Sequence, residues 1–378
     1  MPQLSGFTIG IETEKGTEKK GREGQLSLVL CACLLSKIHG ANLRELRSPT
    51  VKLNSGYDIP IAGYGTHFRT PVEEIEAVSN ALDVGYRLFD TAWVYKNEQN
   101  VGVALKKWFD AGGKREELFI STKLPACGMR ASDVEIYLND SLKKLGLSYV
   151  DMYLIHDPFG LNRLANLDEH IFENGTADLD MTTDIEAVWK AMEKQVEAGR
   201  TKSIGFSNFN ETQIMRIWNI AEIKPSNLHV EANVYIQQEG LLKLARELGI
   251  TVTAYSPLGS SDTSGPRRRR DVTLTDLPTP MEHPTVIKIA EKHKKTPAQI
   301  LLNYVANLGF VVIPKSKHLE RMRENLDIFN FNLTDEDVNE LKSLDQHGKF
   351  RKFTFQVILP GCYKHPEYPF ADRIPKTD

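Results

Sequence analysis

Four ionisable side chains give this sequence a chemical reading. Asp90, Lys123 and His156 follow one another at equal spacings of 33 residues, and each closes a short apolar run beginning near Leu88, Leu118 and Val150. Five residues past Asp90 stands Tyr95. The spacing is about one strand-plus-helix unit, so three successive parallel strands would deliver a carboxylate, an ammonium and an imidazole to the same end. With a phenol beside them, the set has the means for acid–base chemistry. A free tyrosine is a poor acid, with a pKa of about 10; a nearby ammonium favours the phenolate, and a carboxylate can hold that ammonium in place. Plainer readings exist for each residue: Asp90 and Lys123 as a structural ion pair, Tyr95 as a half-buried loop aromatic, and His156 as a satisfied core histidine.

The elements that would position these side chains follow from the hydrophobic pattern. Residues 51–61 read as a hairpin around Asn54-Ser55-Gly56. Strands follow at 61–65, from Leu88, and at 118–122, 150–155, 203–206, 228–230, 251–254 and 310–313. Between them lie helical patterns at 71–82, 98–109, 131–145, 185–197, 211–220, 239–248, 285–293 and 297–306. Eight strands alternating with helices over about 250 residues predict an α/β fold, a single (β/α)8 barrel with an N-terminal hairpin and long loops at its C-terminal rim. In such a barrel that rim is where chemistry is found. A doubly wound sheet is the alternative, but no Gly-x-Gly-x-x-Gly follows the first strand.

Composition narrows the class. The chain has 378 residues, 41% apolar and 26% charged, with a net charge of −3. These values fit a globular protein and give no reason to expect a nucleic-acid or membrane partner. The four cysteines, Cys31, Cys33, Cys127 and Cys362, make neither a disulfide framework nor a metal site, so a reducing, cytoplasmic setting is expected. Residues 1–48 differ from the rest: a charged, Gly-containing run at 12–25 precedes an apolar one at 26–38. A secretory signal would instead open with a short basic segment, so this part reads as a variable, disordered extension.

Several motifs in order resemble the aldo-keto reductase family. They are Phe-Asp-Thr-Ala with Tyr-x-Asn-Glu (89–98), Ser-Thr-Lys (121–123), Tyr-Leu-Ile-His (153–156) and Gly-Phe-Ser-Asn-Phe (205–209). Further along come Ala-Tyr-Ser-Pro-Leu-Gly-Ser (254–260) and Ile-Pro-Lys-Ser with Arg-x-x-Glu-Asn (313–325). The resemblance implies a barrel over 49–346, a capping C-terminal loop over 347–378, and reduction of an aldehyde or ketone by NADPH. It implies Tyr95 as proton donor, Lys123 as the group that tunes it, Asp90 as the partner of Lys123, and His156 as a guide for the carbonyl oxygen. By the same resemblance Ser207 and Asn208 bind the nicotinamide carboxamide, with His229 where a glutamine is usual, and Tyr255 stacks on the ring. Ser256, Leu258 and Ser260 match pyrophosphate positions, Lys315, Ser316 and Arg321 the 2′-phosphate pocket, and Glu324 and Asn325 the adenine contacts. A small-molecule carbonyl substrate (a sugar aldehyde, lipid aldehyde or ketosteroid) and a monomer are expected.

Departures from the family pattern cluster in the substrate pocket. Asp157 replaces the tryptophan that commonly follows the catalytic histidine, His67 takes the usual aromatic place on the first loop, and Pro125 stands where another tryptophan is frequent. A less aromatic, more polar pocket is expected. The loop at 157–184 is acidic but lacks calcium-ligand spacing, so no metal is expected. Arg267 to Arg270 read as solvated charge near the cofactor rather than a nucleic-acid patch. A second reading is an NADPH-binding regulatory or scaffolding barrel with vestigial activity.

Overall fold

The computed structural model describes residues 47–67, 70–170, 172, 174–260, 278–356 and 358–370. The expectations for the N-terminal extension and for Arg267 to Arg270 lie outside these residues. Eight parallel strands run in sequence order: β3 (Tyr64–Gly65), β4 (Leu88–Asp90), β5 (Phe119–Leu124), β6 (Val150–Ile155), β7 (Thr201–Ser207), β8 (Asn227–Glu231), β9 (Thr251–Tyr255) and β10 (Phe310–Val312). Ala62 bridges to Val312 in parallel, and Gly63 N–H donates to the Val312 carbonyl at 2.8 Å, which brings first and last strands together. The fold is the expected (β/α)8 barrel. β1 (Thr50–Lys52) and β2 (Asp58–Pro60) precede it as an antiparallel hairpin.

Strand periodicity explains why polar groups collect at one end. Leu88 and Asp90 face inward from β4, as do Phe119 and Ser121 from β5, and all four line one small interior cavity with Met152 and His229. Leu53 and Ile59 of the hairpin pack with Leu88, Phe119, Met152, Leu154, Val311 and Ile313, closing the lower end with apolar side chains. The next inward positions up the strands are Asp90, Lys123 and His156. The barrel floor is therefore closed by apolar side chains, and Asp90, Lys123 and His156 stand above it toward the C-terminal rim.

Helix ends follow local chemistry. Thr70 caps Pro71–Val84 by accepting from Glu73 N–H, and the left-handed Gly85 (φ 116°) ends it. Asn210 and Gln213 form a capping box for Glu211–Ile220. The helix expected to begin at 131 starts at Val134; its N-cap residue Asp133 makes no capping bond, and the Asp133 carboxylate accepts from Arg163 Nε at 2.8 Å. Lys123 lies one residue inside β5 rather than beyond it, where it pairs in register with Leu154 of β6. Among the described residues no helix is long and apolar enough to cross a membrane.

Candidate active site

Lys123 lies at the centre of the rim. Its ammonium, 3% exposed, donates to both carboxylate oxygens of Asp90 at 2.8 and 2.7 Å and to the Thr91 carbonyl at 2.8 Å. Ser121 Oγ donates to Asp90 at 2.6 Å, and His229 Nδ1 stands 3.7 Å from the same carboxylate. Burial pushes the Asp90 pKa up, but Lys123, His229 and Ser121 together outweigh it and hold the carboxyl below its ordinary value. Burial likewise disfavours the charged Lys123, and Asp90 and Tyr95 reverse that, so its pKa is raised. The pair is ionised.

Tyr95 ends a short 3₁₀ turn, Trp93–Tyr95, and its ring sits 5.7 Å from His156 and 4.9 Å from His67, centroid to centroid. Lys123 Nζ is 5.2 Å from the ring centre. The ammonium pulls the phenol's pKa down, as expected, but the net direction is upward. Burial raises it more than Lys123, through charge and hydrogen bond, pulls it down, and Asp90 adds to the rise. Tyr95 therefore keeps its proton at neutral pH. His156 is neutral too, pushed down to about 3 by burial and then by Lys123.

The turn that carries Tyr95 is braced by residues that motif reading quoted without giving them a role. Asn97 Nδ2 donates to the Thr66 carbonyl at 2.7 Å and to Glu74 at 2.6 Å, while its Oδ1 accepts from Thr91 Oγ1 at 3.0 Å. Burial pushes Glu74 up to about 8. Glu98 accepts from Thr122 at 2.6 Å and Ser141 at 3.0 Å. The motif's Asn-Glu pair is thus a buried bracket under Thr91, whose carbonyl holds Lys123. Replacing Asn97 with Ala should cost about 2–3 kcal/mol of stability, since buried polar partners lose their bonds. Urea denaturation measures this, and an unchanged midpoint would show that the bracket does not matter.

The strand ends on the other side of the rim gather the remaining candidates. Ser207, the last residue of β7, pairs in register with His229 of β8, and Asn208 N–H donates to the His229 carbonyl at 2.9 Å. Asn208 is left-handed (φ 65°). Its amide donates to the His156 carbonyl at 3.0 Å and Asp157 at 3.1 Å, and it accepts from Tyr255 hydroxyl at 2.7 Å. His229 is buried and held neutral, pushed down to about 3 mainly by burial. After β9 the backbone is left-handed at Ser256 (φ 52°), Gly259 (φ 76°) and Ser260 (φ 46°), and Leu258 packs on the core. A Cβ at Gly259 would come within 2.4 Å of the Pro280 ring, so both space and conformation favour glycine there.

Lys315, Ser316, Arg321, Glu324 and Asn325 share one segment, from the end of β10 through the helix Leu319–Leu326. Lys315 and Arg321 are exposed, whereas Ser316 and Asn325 are buried. Tyr64 hydroxyl donates to the Ser316 carbonyl and Tyr86 hydroxyl to that of Met322 at 2.9 Å, anchoring the segment to the barrel. Pro125 is buried at the end of β5, where it begins the turn Ala126–Gly128.

The C-terminal segment crosses the same rim. Buried Glu231, the end of β8, accepts from the backbone N–H groups of Lys352 at 2.9 Å and Phe353 at 3.0 Å. Lys352 Nζ donates to the carbonyls of Gly259 and Ser260, and the Phe353 ring meets Tyr255 edge-on at 5.5 Å. Phe355 and Tyr368 pack on Phe159 of the acidic loop. Two of that loop's acids are paired: Asp180 with Arg130 at 2.7 Å and Asp178 with His170 at 2.7 Å. Among the described residues no cluster of acidic, His or Cys side chains is arranged to hold a metal.

Nδ1 of His156 and Nδ1 of His229 are buried with no hydrogen-bond partner among the described residues. Such orphaned atoms call for an explanation. With Ser207 beside them, a left-handed backbone run after β9, and two exposed cations at 315 and 321, the donor set fits an elongated ligand bearing an amide and phosphates.

Comparison with known proteins agrees with this geometry. The sequence profile of the Aldo/keto reductase family matches residues 62–346. The chain is 40% identical over 327 residues to aldo-keto reductase family 1 member A1 of Gallus gallus, covering 85% of this chain and 97% of that one. It is 39% identical to the NAD(P)H-dependent D-xylose reductase I,II of Candida tropicalis, covering 79% and 92%. The aldose reductase structure from Schistosoma japonicum superposes with a TM-score of 0.76 at 38% identity, covering 86% of this chain and all of that one. The chain belongs to the aldo/keto reductase family, oxidoreductases that carry out nicotinamide-dependent carbonyl reduction.

Proposed function

We propose that this protein reduces an aldehyde or ketone to an alcohol with NADPH, that Tyr95 donates the proton, and that it works as a cytoplasmic monomer. The observation that carries the reading is the buried Lys123 ammonium, bound twice by Asp90 and once by Thr91, next to a phenol that keeps its proton. The cofactor supplies the hydride. As negative charge grows on the carbonyl oxygen, Tyr95 passes its proton to that oxygen, and the phenolate left behind is stabilised by the adjacent ammonium. Asp90 keeps the ammonium charged in a site where burial alone would strip its proton. Neutral His156 hydrogen-bonds the carbonyl oxygen without competing as an acid.

Ser207, Asn208 and His229 would hold the carboxamide and Tyr255 the ring face, with Ser256, Leu258 and Ser260 along the pyrophosphate. Glu324 and Asn325 would contact adenine. Lys315, Ser316 and Arg321 would bind the 2′-phosphate, for which a forked guanidinium is suited. Arg321→Ala should therefore weaken NADPH by about 10- to 100-fold, the range of a lost charge-assisted hydrogen bond, and leave NADH nearly unchanged. Fluorescence titration with each cofactor checks this, and equal losses for both would refute the phosphate role. His67, Asp157 and Pro125 belong to the substrate wall. The rabbit relative is named prostaglandin-E(2) 9-reductase and the Candida one a D-xylose reductase, so the family range embraces both lipid and sugar carbonyls.

A further inference from the structure

The proposed substrate wall includes a carboxyl that the proposed mechanism does not use. Asp157 follows His156 directly, is 8% exposed, and accepts from Asn208 Nδ2 at 3.1 Å. The same amide group bonds the His156 carbonyl, and Tyr255 hydroxyl donates to the other end of Asn208, so the carboxyl is tied in place beside the reacting groups. We propose that Asp157 is a charge filter for the substrate: ionised, it turns away carbonyl compounds bearing a carboxylate, and protonated, it admits them. The inference rests on the carbonyl-reductase reading and adds a substrate class to it, neutral aldehydes and ketones over anionic ones.

The groups facing Asp157 come from five elements. Glu169 approaches from the acidic loop, Lys123 from β5, Tyr95 from its turn, Tyr255 from β9, and Cys362 from the C-terminal segment. Of these groups only Lys123 carries a charge that favours ionised Asp157, and two bonds to Asp90 already engage it. Burial, then Glu169, pushes Asp157 up to about 7, against the pull of Asn208 and Lys123. Cys362 is itself pushed up to about 12 by burial and then Asp157, so it stays a neutral thiol. Glu169 is raised by burial as well, with Lys96 pulling down and Asp168 pushing up. The wall therefore gains negative charge as pH rises through neutrality, while a substrate carboxylate stays ionised throughout.

Butyraldehyde and succinic semialdehyde differ by one carboxylate and serve as probes. In the full-length protein the ratio of their kcat/KM values should rise about tenfold in favour of butyraldehyde between about pH 6 and about pH 8. Asp157→Asn should hold the ratio flat at its low-pH value, and Glu169→Gln should move the rise to lower pH. Butyrate binding, read by calorimetry and independent of turnover, should weaken about tenfold over the same interval in the native protein and not in Asp157→Asn. Aldehyde consumption with a pH-independent ratio would overturn the filter. Butyrate discrimination without consumption of either aldehyde would support the filter and overturn the reductase reading.

Discussion

Replacing Tyr95 with Phe is expected to lower kcat for carbonyl reduction by about 10²–10⁴-fold, the usual worth of a positioned general acid, with NADPH affinity nearly unchanged. The substitution removes one oxygen and keeps the ring, so packing against His67 at 4.9 Å and His156 at 5.7 Å survives. Lys123 retains both Asp90 oxygens and the Thr91 carbonyl, so the ammonium does not lose its anchors. A loss of rate with folding and cofactor binding intact therefore isolates the proton. Steady-state kinetics alongside cofactor titration provides the check. A variant that kept most of its activity would show that Tyr95 is not the acid.

Replacing Asp90 with Asn should destabilise the protein by about 3–5 kcal/mol at neutral pH, because it strands a buried cation. Lys123 is 3% exposed and would keep no anionic partner in hydrogen-bond contact. The pH dependence follows from the signs. In the native protein Lys123 has a raised pKa, so its contribution is full below the unfolded value of about 10.4 and is lost as pH climbs through the folded value. In Asp90→Asn only Tyr95 is left to oppose burial and the folded pKa falls, so folding favours the neutral amine and the deficit narrows as pH rises toward 10.4. Asp90 itself has a lowered pKa, so its native contribution is present above the unfolded value of about 3.9 and disappears in acid. Urea denaturation of both proteins at neutral and alkaline pH tests this. A deficit that did not change with pH would mean that charge burial is not the cause.

How much of this was legible in the sequence depends on the distance over which each residue acts. Asp90, Lys123 and His156 could be placed at one rim because strand period and repeat length are local properties. Strand ends were less readable: Ser207 proved to lie within β7 and Glu231 within β8, since pairing with a neighbour, not composition, sets where a strand stops. The bracket under Thr91 was not legible, because Asn97 reaches Thr66 and Glu74, 31 and 23 residues away. Glu231 binds backbone 121 and 122 residues further on, and no periodicity signals that. Asp133 accepts from Arg163, 30 residues away, which a local pattern does not show. For the phenol the charge partner Lys123 could be named from sequence, whereas the depth of burial that outweighs it could not.

The most direct test is to mix the purified full-length chain with NADPH and a panel of small aldehydes and ketones and follow the loss of reduced nicotinamide absorbance. Steady consumption of at least one carbonyl compound, with the matching alcohol formed in equal amount, is the predicted result. Tight NADPH binding with no turnover on any member of the panel would contradict the account and leave the barrel as a binding or scaffolding protein.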